Sequence, residues 1–331
     1  MLRGTGDMSI ASKLFIIGSG FTNSATHKAA PLNRELLSSI RQYDKTLWDD
    51  LYNRYLTEDV EIGLTRLDMD IITNSGQKEL VELRKKAEVG LTNFFRNFRF
   101  REDMLLKCCW LKDFVQGTFA EGDIVVSLNY DCLLEGLLDR YRLWTPNGGY
   151  GKAFKVYSGL TGAPPSPITV LKIHGSENFH REPVIGSQTD KSLIFTVVES
   201  IFPVSGKSKY FCLPDKESTD AIIAPSFVKI FPSNLITLML EALEDAAIRA
   251  ETLVLIGCGL RPEDGFLYLL LWRFVQGLLT GTRRIVIIDP NASSLCNRVS
   301  ITLEYDLSRY MHPIDKFLED GWPDLTKELG K

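Results

Sequence analysis

Lys13-Leu-Phe-Ile-Ile-Gly-Ser-Gly-Phe21 is the stretch whose reading decides the fold. The apolar run Leu14 to Ile17 leads directly into Gly18-Ser19-Gly20. An unbroken apolar run suits a strand buried on both faces of a parallel sheet. Glycines placed directly after it let the backbone turn sharply and approach a ligand closely. A helix opening at that turn would aim free N–H groups and a positive dipole end at a phosphate. The third glycine of a G-x-G-x-x-G fingerprint would fall where Asn23 stands, so this turn alone is an incomplete dinucleotide signal.

The same device returns near the end of the chain. Thr252-Leu-Val-Leu-Ile-Gly-Cys-Gly-Leu260 is again a buried strand followed by glycines, here Gly257 and Gly259. These either end the strand or face a ligand. Between the two stretches, Asp123 to Asp131 reads as a strand, Ile124 to Val126, carrying Asn129, Tyr130 and Asp131 at its carboxyl end. In open α/β sheets ligands bind at that end. Asp131 also suits a plain helix N-cap before a helix over 132–141, and Asn129 a turn. Ile168 to Ile173 reads as a strand delivering His174. Arg283 to Asp289 reads as the last strong strand and ends in an acid, as ribose-binding strands often do.

Apolar spacing predicts helices over 32–40, 47–55, 77–99 and 102–119, so residues 30–120 read as a helical insertion after the first strand and turn. Its Phe/Arg alternation at 94–101 fits either nucleic-acid stacking or a solvated helix with a buried aromatic edge. Short strands are expected at 192–198 and 221–224, polar loop at 203–220, and a helix over 233–248. Leu303 to Lys331 reads as a short strand plus terminal helices, a short helical tail over about 305–331. The alternation of strands and helices argues an α/β fold, a Rossmann-like doubly wound parallel sheet forming a single domain over 1–331.

Composition narrows the function. With 331 residues and 24 % charged side chains the chain has a globular mix, and its net charge of -4 gives no basic footprint for nucleic acid. The six cysteines form no C-x-x-C pair, so neither a zinc ribbon nor a disulfide framework is expected. The apolar stretch 266–279 is too short and too punctuated, by Arg273 and Gln276, for a membrane span. It is either a core helix or an interface. With no cleavable signal evident, a cytoplasmic protein is expected.

Taken in order, these strand ends resemble the sirtuin-like family. Gly18-Ser19-Gly20-Phe21 looks like its nucleotide loop, Asn129-Tyr130-Asp131 like its N-[IY]-D signature, and Lys172-Ile-His-Gly175 like its K-[LI]-H-G signature. Gly257-Cys-Gly-Leu260, with Arg261, Pro262 and Asp264, is similar to its late glycine segment. Asp289-Pro290-Asn291 resembles the strand end that follows. Protein deacylases of the family carry a zinc module on four cysteines, which this sequence lacks, and their usual proline-containing loop is represented only by Pro31. Those departures point to the branch that resembles bacterial antiphage NAD hydrolases, as does the similarity around Ile222-Ile-Ala-Pro225 and Lys229.

The resemblance implies hydrolysis of NAD at the nicotinamide–ribose bond, with Asn129 and His174 as the essential pair and Asp131 in support. It implies a nucleotide site on Gly18, Ser19, Gly20, Phe21, Thr22, Gly257, Cys258, Gly259, Leu260, Asp264 and Asp289, with no metal. It implies a homo-oligomer, or a protein partner such as a HerA-type ATPase or a short Argonaute. Two further readings stay open: a non-catalytic NAD or ADP-ribose sensing module, and a deacylase or ADP-ribosyltransferase, which the absent cysteine module disfavours.

Overall fold

The computed structural model describes residues 13–74, 77–151, 165–181, 195–197, 219–222, 233–261, 265–277 and 283–330. Its strands are β1 Lys13–Ile17, β2 Ile124–Ser127, β3 Thr169–Lys172, β4 Gly175–Arg181, β5 Phe195–Val197, β6 Thr219–Ile222, β7 Thr252–Ile256, β8 Arg284–Ile288 and β9 Met311–Ile314. Its helices are α1 Ser19–Ala25, α2 Leu36–Tyr43, α3 Lys45–Tyr55, α4 Val60–Thr73, α5 Lys78–Phe95, α6 Glu102–Lys107, α7 Trp110–Thr118, α8 Leu133–Arg140, α9 Pro146–Gly149, α10 Ser233–Arg249, α11 Gly265–Gln276, α12 Ala292–Leu303 and α13 Leu318–Glu328.

The main sheet runs β3-β2-β1-β7-β8-β9, and every neighbouring pair is parallel. Leu14, Phe15, Ile16 and Ile17 are wholly buried, as are Leu253 to Ile256, because helices cover both faces. From β1 the chain steps outward to β2 and β3, then returns to the other flank of β1 for β7, β8 and β9. This is a Rossmann-like, doubly wound α/β fold. Its strand order reverses between β1 and β7, where such sheets open a crevice beyond their carboxyl ends. Pro313 is accommodated because β9 is an edge strand.

A second sheet, β5-β4-β6, is antiparallel and was not anticipated. Gly175 makes the sharp reversal into it, with φ of +75° immediately after His174. The strand expected at 192–198 is described over 195–197. The later one begins at Thr219, earlier than the sequence pattern placed it. Pro225, Lys229 and most of the expected polar loop lie outside the described residues.

Between β1 and β2 the chain forms a helical layer with its own core, in which Trp48, Leu64, Leu67 and Leu91 are buried. Asp68 of α4, itself buried, holds Arg84 of α5 through Nε at 2.6 Å and Nη2 at 3.3 Å. The amphipathic tract at 102–119 is two helices, α6 and α7, broken at Cys108-Cys109. Helix α11 buries Leu267, Leu270, Leu271, Phe274 and Val275 and leaves Leu269 and Trp272 exposed, so most of the 266–279 stretch is core. Among the described residues no helix is long and apolar enough to cross a membrane.

The two glycine turns interlock. The Gly18 amide donates to the Ile256 carbonyl, and the Gly20 amide to the Gly257 carbonyl, each at 3.0 Å. A Cβ on Gly18 would lie 2.6 Å from the Gly257 oxygen, and one on Gly20 2.7 Å from the Gly257 Cα. Gly257 itself has a φ of +54°. A Cβ on Gly259 meets nothing within 4 Å. Gly18→Ala or Gly257→Ala should therefore lower unfolding stability by about 1–3 kcal/mol or more through forced backbone displacement, and Gly259→Ala by under about 1 kcal/mol, in urea titrations followed by circular dichroism. Equal effects at 257 and 259 would refute the interlock.

Candidate active site

A cleft of about 410 Å³ opens at the carboxyl ends of β1, β2, β3, β7 and β8. Gly18, Ser19, Gly20, Thr22, Asn129, Asp131, His174, Gly257, Cys258, Gly259, Leu260 and Asp289 all line it. Two expected residues do not join them. Phe21 is wholly buried beneath the turn, its ring 6.1 Å from that of Phe114, because α1 directs this position into the core. It contributes packing and touches no ligand space. Asp264 lies outside the described residues. The glycine turn is also less available to a phosphate than its pattern suggests, since the Gly20 and Phe21 amides already donate within the protein, to Gly257 and Gly18. The position of the missing third glycine has a structural duty. Asn23 is buried and its Nδ2 donates to the Ala30 carbonyl at 2.6 Å, pinning the loop that leads to the cleft rim.

Asn129 stands just past β2 with its amide fully oriented. Its Nδ2 donates to the Gly18 carbonyl and to Thr22 Oγ1, each at 3.0 Å. A carbonyl only accepts, so nitrogen and not oxygen must face Gly18. With both N–H groups committed, Oδ1 is the atom Asn129 has to offer the cleft, as an acceptor. The chain of bonds continues inward. Thr22 Oγ1 donates to Asp131 Oδ2 at 2.9 Å, and Asp131 Oδ1 accepts the Leu133 amide at 3.1 Å. Asp131 thus ties the end of β2 to the first turn of α8 and, through Thr22, to the Asn129 amide, while the N-cap position of that helix falls on Cys132.

Burial pushes the Asp131 carboxyl up to about 6, against the opposing pull of Lys172 and of the Leu133 amide. Lys172 lies below it at the end of β3. Its Nζ is fully buried, 3.2 Å from Glu135 Oε1, and donates to the Asp131 backbone carbonyl. Burial by itself lowers the ammonium's pKa; the Glu135 carboxylate reverses that, and the net shift is upward. The sequence signature that contains Lys172 gives it no role, and nothing in local pattern marks Glu135 as its partner.

His174 sits between the two sheets. Its Nδ1–H donates to the Leu128 carbonyl at 3.2 Å, which selects the tautomer whose Nε2 carries the lone pair. Tyr130 lines the cleft and packs into the helical layer, 5.0 Å from the Phe95 ring and 6.1 Å from the His174 ring. The Phe/Arg alternation is spent on architecture: Arg99 clasps buried Glu177 through Nε at 3.1 Å and Nη2 at 2.8 Å, and Phe94 packs edge-on against Phe95 and Phe98. Asp289 closes the far end of the cleft. Burial raises its carboxyl, and its Oδ1 accepts the Asn291 amide at 2.9 Å.

Pattern reasoning missed the clamp across the cleft mouth. Arg261 reaches from the second glycine turn to Asp59 Oδ2 at 3.1 Å and Glu61 Oε2 at 3.3 Å on the helical layer. Arg298 of α12 holds the same turn through the Gly259 carbonyl at 2.8 Å. Among the described residues no three His, Cys, Asp or Glu side chains gather as they would for a metal ion.

No protein-family model matches this sequence, and no curated protein does. A solved structure described as "The Structural basis of Sirtuin Substrate Affinity" is similar over 96 % of this chain and 93 % of that one, with 13 % identity and a TM-score of 0.38. At such identity function has to be read from the site's own residues.

The buried pair supplies its own test. Lys172→Met leaves Glu135 charged in the interior with the Tyr150 hydroxyl as donor but without the Lys172 ammonium, and should cost about 3–5 kcal/mol, whereas the double change Lys172→Met with Glu135→Leu should recover most of it. Denaturant midpoints of the single and double variants decide the matter. A double variant no more stable than the single one would refute the pairing.

Proposed function

We propose that this protein is an NAD glycohydrolase, releasing nicotinamide and ADP-ribose. The observation that supports it best is the convergence of Asn129 and His174, from separate strand ends, with both glycine turns and Asp289 around one cleft. The ordered signatures that resemble the sirtuin-like family support the choice of NAD. The cleft's acidic far end suits the hydroxyls of a ribose, as acids at such strand ends do.

Water adds to the ribose carbon that bears nicotinamide, and the carbon–nitrogen bond breaks. Its electron pair neutralises the pyridinium, so nicotinamide leaves uncharged and one proton is released. The transition state resembles an oxocarbenium ion, as in other glycosidic cleavage. Asn129 Oδ1, held by Gly18 and Thr22, accepts a hydrogen bond from the attacking water or a ribose hydroxyl and so orients it. His174 Nε2 receives the proton. Asp131 keeps the amide turned through Thr22 and places negative charge near the cationic sugar.

Such an activity would suit a defence effector that depletes cellular NAD, held in check by oligomerisation or by a protein partner of the HerA-type ATPase or short Argonaute kind. The test is direct. Purified protein, alone and with candidate triggers, is incubated with NAD and its products are separated by chromatography. Asn129→Ala and His174→Ala should each lower turnover at least about 100-fold while keeping NAD affinity within about tenfold. Full turnover in either variant defeats the site. Binding without release of nicotinamide by the wild type under every condition favours a sensing module instead.

The relay also predicts a pH dependence. A proton on Asp131 Oδ2 would reverse its bond with Thr22 and remove the negative charge that the carboxylate places beside the sugar. Turnover should fall as pH drops through about 6, the value to which burial lifts this carboxyl. In Asp131→Asn the rate should be lower throughout and lack that limb. A limb that survives the substitution belongs to another group.

A further inference from the structure

A second, smaller cavity lies on the opposite side of the loop that borders the cleft. It encloses about 150 Å³. His27, Arg99, Arg101 and Lys107 line it together with Thr26 and Asn97, and no Asp or Glu is among its lining residues. That bias runs against the chain as a whole, in which 42 acidic residues outnumber 38 Lys and Arg. Arg99 is committed to buried Glu177 and forms a fixed wall. Among the described residues Arg101 pairs with Asp103 at 3.3 Å, an exposed pair of the kind that contributes little and exchanges readily. Lys107 and His27 make no ion pair among the described residues. Asn97 adds a neutral amide beside these cations, one of its N–H groups donating to the Phe94 carbonyl, while the Thr26 hydroxyl is spent on the Thr22 carbonyl.

The cavity's position joins it to the cleft. Phe98 lines both. The segment from Thr26 to Ala29 walls the small cavity, and its continuation from Ala30 to Arg34 walls the cleft. Within that segment His27 and Lys28 hold left-handed backbone conformations, with φ of +54° and +65°, a strained state for residues with side chains. The turn is secured by Asn23, whose carbonyl accepts the Lys28 amide at 2.7 Å, and by Thr26 Oγ1, which accepts the Ala30 amide at 2.9 Å.

We propose that this basic cavity is a regulatory phosphate site, taking the phosphate group of a small metabolite or free phosphate, whose occupancy stiffens residues 26–34 and thereby alters the adjoining cleft. Lys107 and Arg101 supply the charge, the planar guanidinium gripping two oxygens and the ammonium a third. The cavity suits a phosphoryl group with at most a sugar attached, being well under half the volume of the main cleft. This inference does not depend on NAD being the occupant of that cleft.

The probes are inorganic phosphate and ribose 5-phosphate, titrated calorimetrically into the full-length protein. One saturable site is expected for at least one probe, and tighter binding of ribose 5-phosphate would identify a sugar phosphate as the class of ligand. Arg101→Gln with Lys107→Gln should weaken it at least about tenfold, the loss expected for charge-assisted hydrogen bonds, and Arg101→Lys with Lys107→Arg should restore most of it. Arg261→Gln, in the cleft, should leave it unchanged. Bound probe should slow amide exchange across residues 26–34. Both substituted side chains are exposed, so the variants should melt with the wild type. The proposal is overturned by absence of binding for both probes, by equal binding in the double glutamine variant, or by binding that Arg261→Gln abolishes.

Discussion

The Gly257 carbonyl accepts the Gly20 amide at 3.0 Å, and around that bond two loops from opposite ends of the chain meet with no room for a Cβ on Gly18, Gly20 or Gly257. The contact sits at the reversal of strand order, between the ends of β1 and β7. Everything in the cleft takes its position from it. Gly18 presents the carbonyl that orients Asn129, and α1, which starts at this turn, presents Thr22. Backbone pressed against backbone is the stiffest support available in a protein, because neither partner has a rotamer to change.

From this support a hydrogen-bond chain runs inward, from Asn129 through Thr22 to Asp131. Below it the Lys172 ammonium binds the Asp131 backbone and faces Glu135. Buried ion pairs add little net stability, since desolvation offsets their attraction. Their value here is directional. Each donor meets an acceptor of fixed position, so the Asn129 amide cannot flip. The helical layer contributes by another route: Tyr130 lies between the two polar residues of the strand end and is buried in that layer's core. The layer therefore holds the strand end from one side while the glycine turns hold it from the other. Arg261 completes the enclosure by tying the second turn to the start of α4.

Much of this was legible in the sequence. Unbroken apolar runs at 14–17 and 252–256 require cover on both faces, which is a statement about a parallel sheet that needs no coordinates. Glycines after each run marked the places where backbone must pass close to something. Asn129, Asp131, His174 and Asp289 stood out because they follow apolar strands at the carboxyl ends where open α/β sheets bind ligands, although a cap or a turn would account for the first two as well. Helix periodicity located the layer between the first two strands, although it ran α6 and α7 together, since Cys108 and Cys109 interrupt the backbone without interrupting the apolar spacing.

What the tertiary structure decided is which atoms face which. Local pattern assigned the glycines to a phosphate, whereas the close approach they permit is to each other. It did not say which atoms of Asn129 face the cleft; two partners, 111 and 107 residues away in sequence, use up its hydrogens. It counted Phe21 in the nucleotide loop, yet the pitch of α1 turns that ring into the core. It left Lys172 and Glu135 unrelated and the arginines of 96–99 without a target, because the carboxylates that meet them lie on other elements. Periodicity reports only which face of an element is buried, over a few residues. Pairings across the fold depend on how whole elements pack, and that information is distributed through the entire chain.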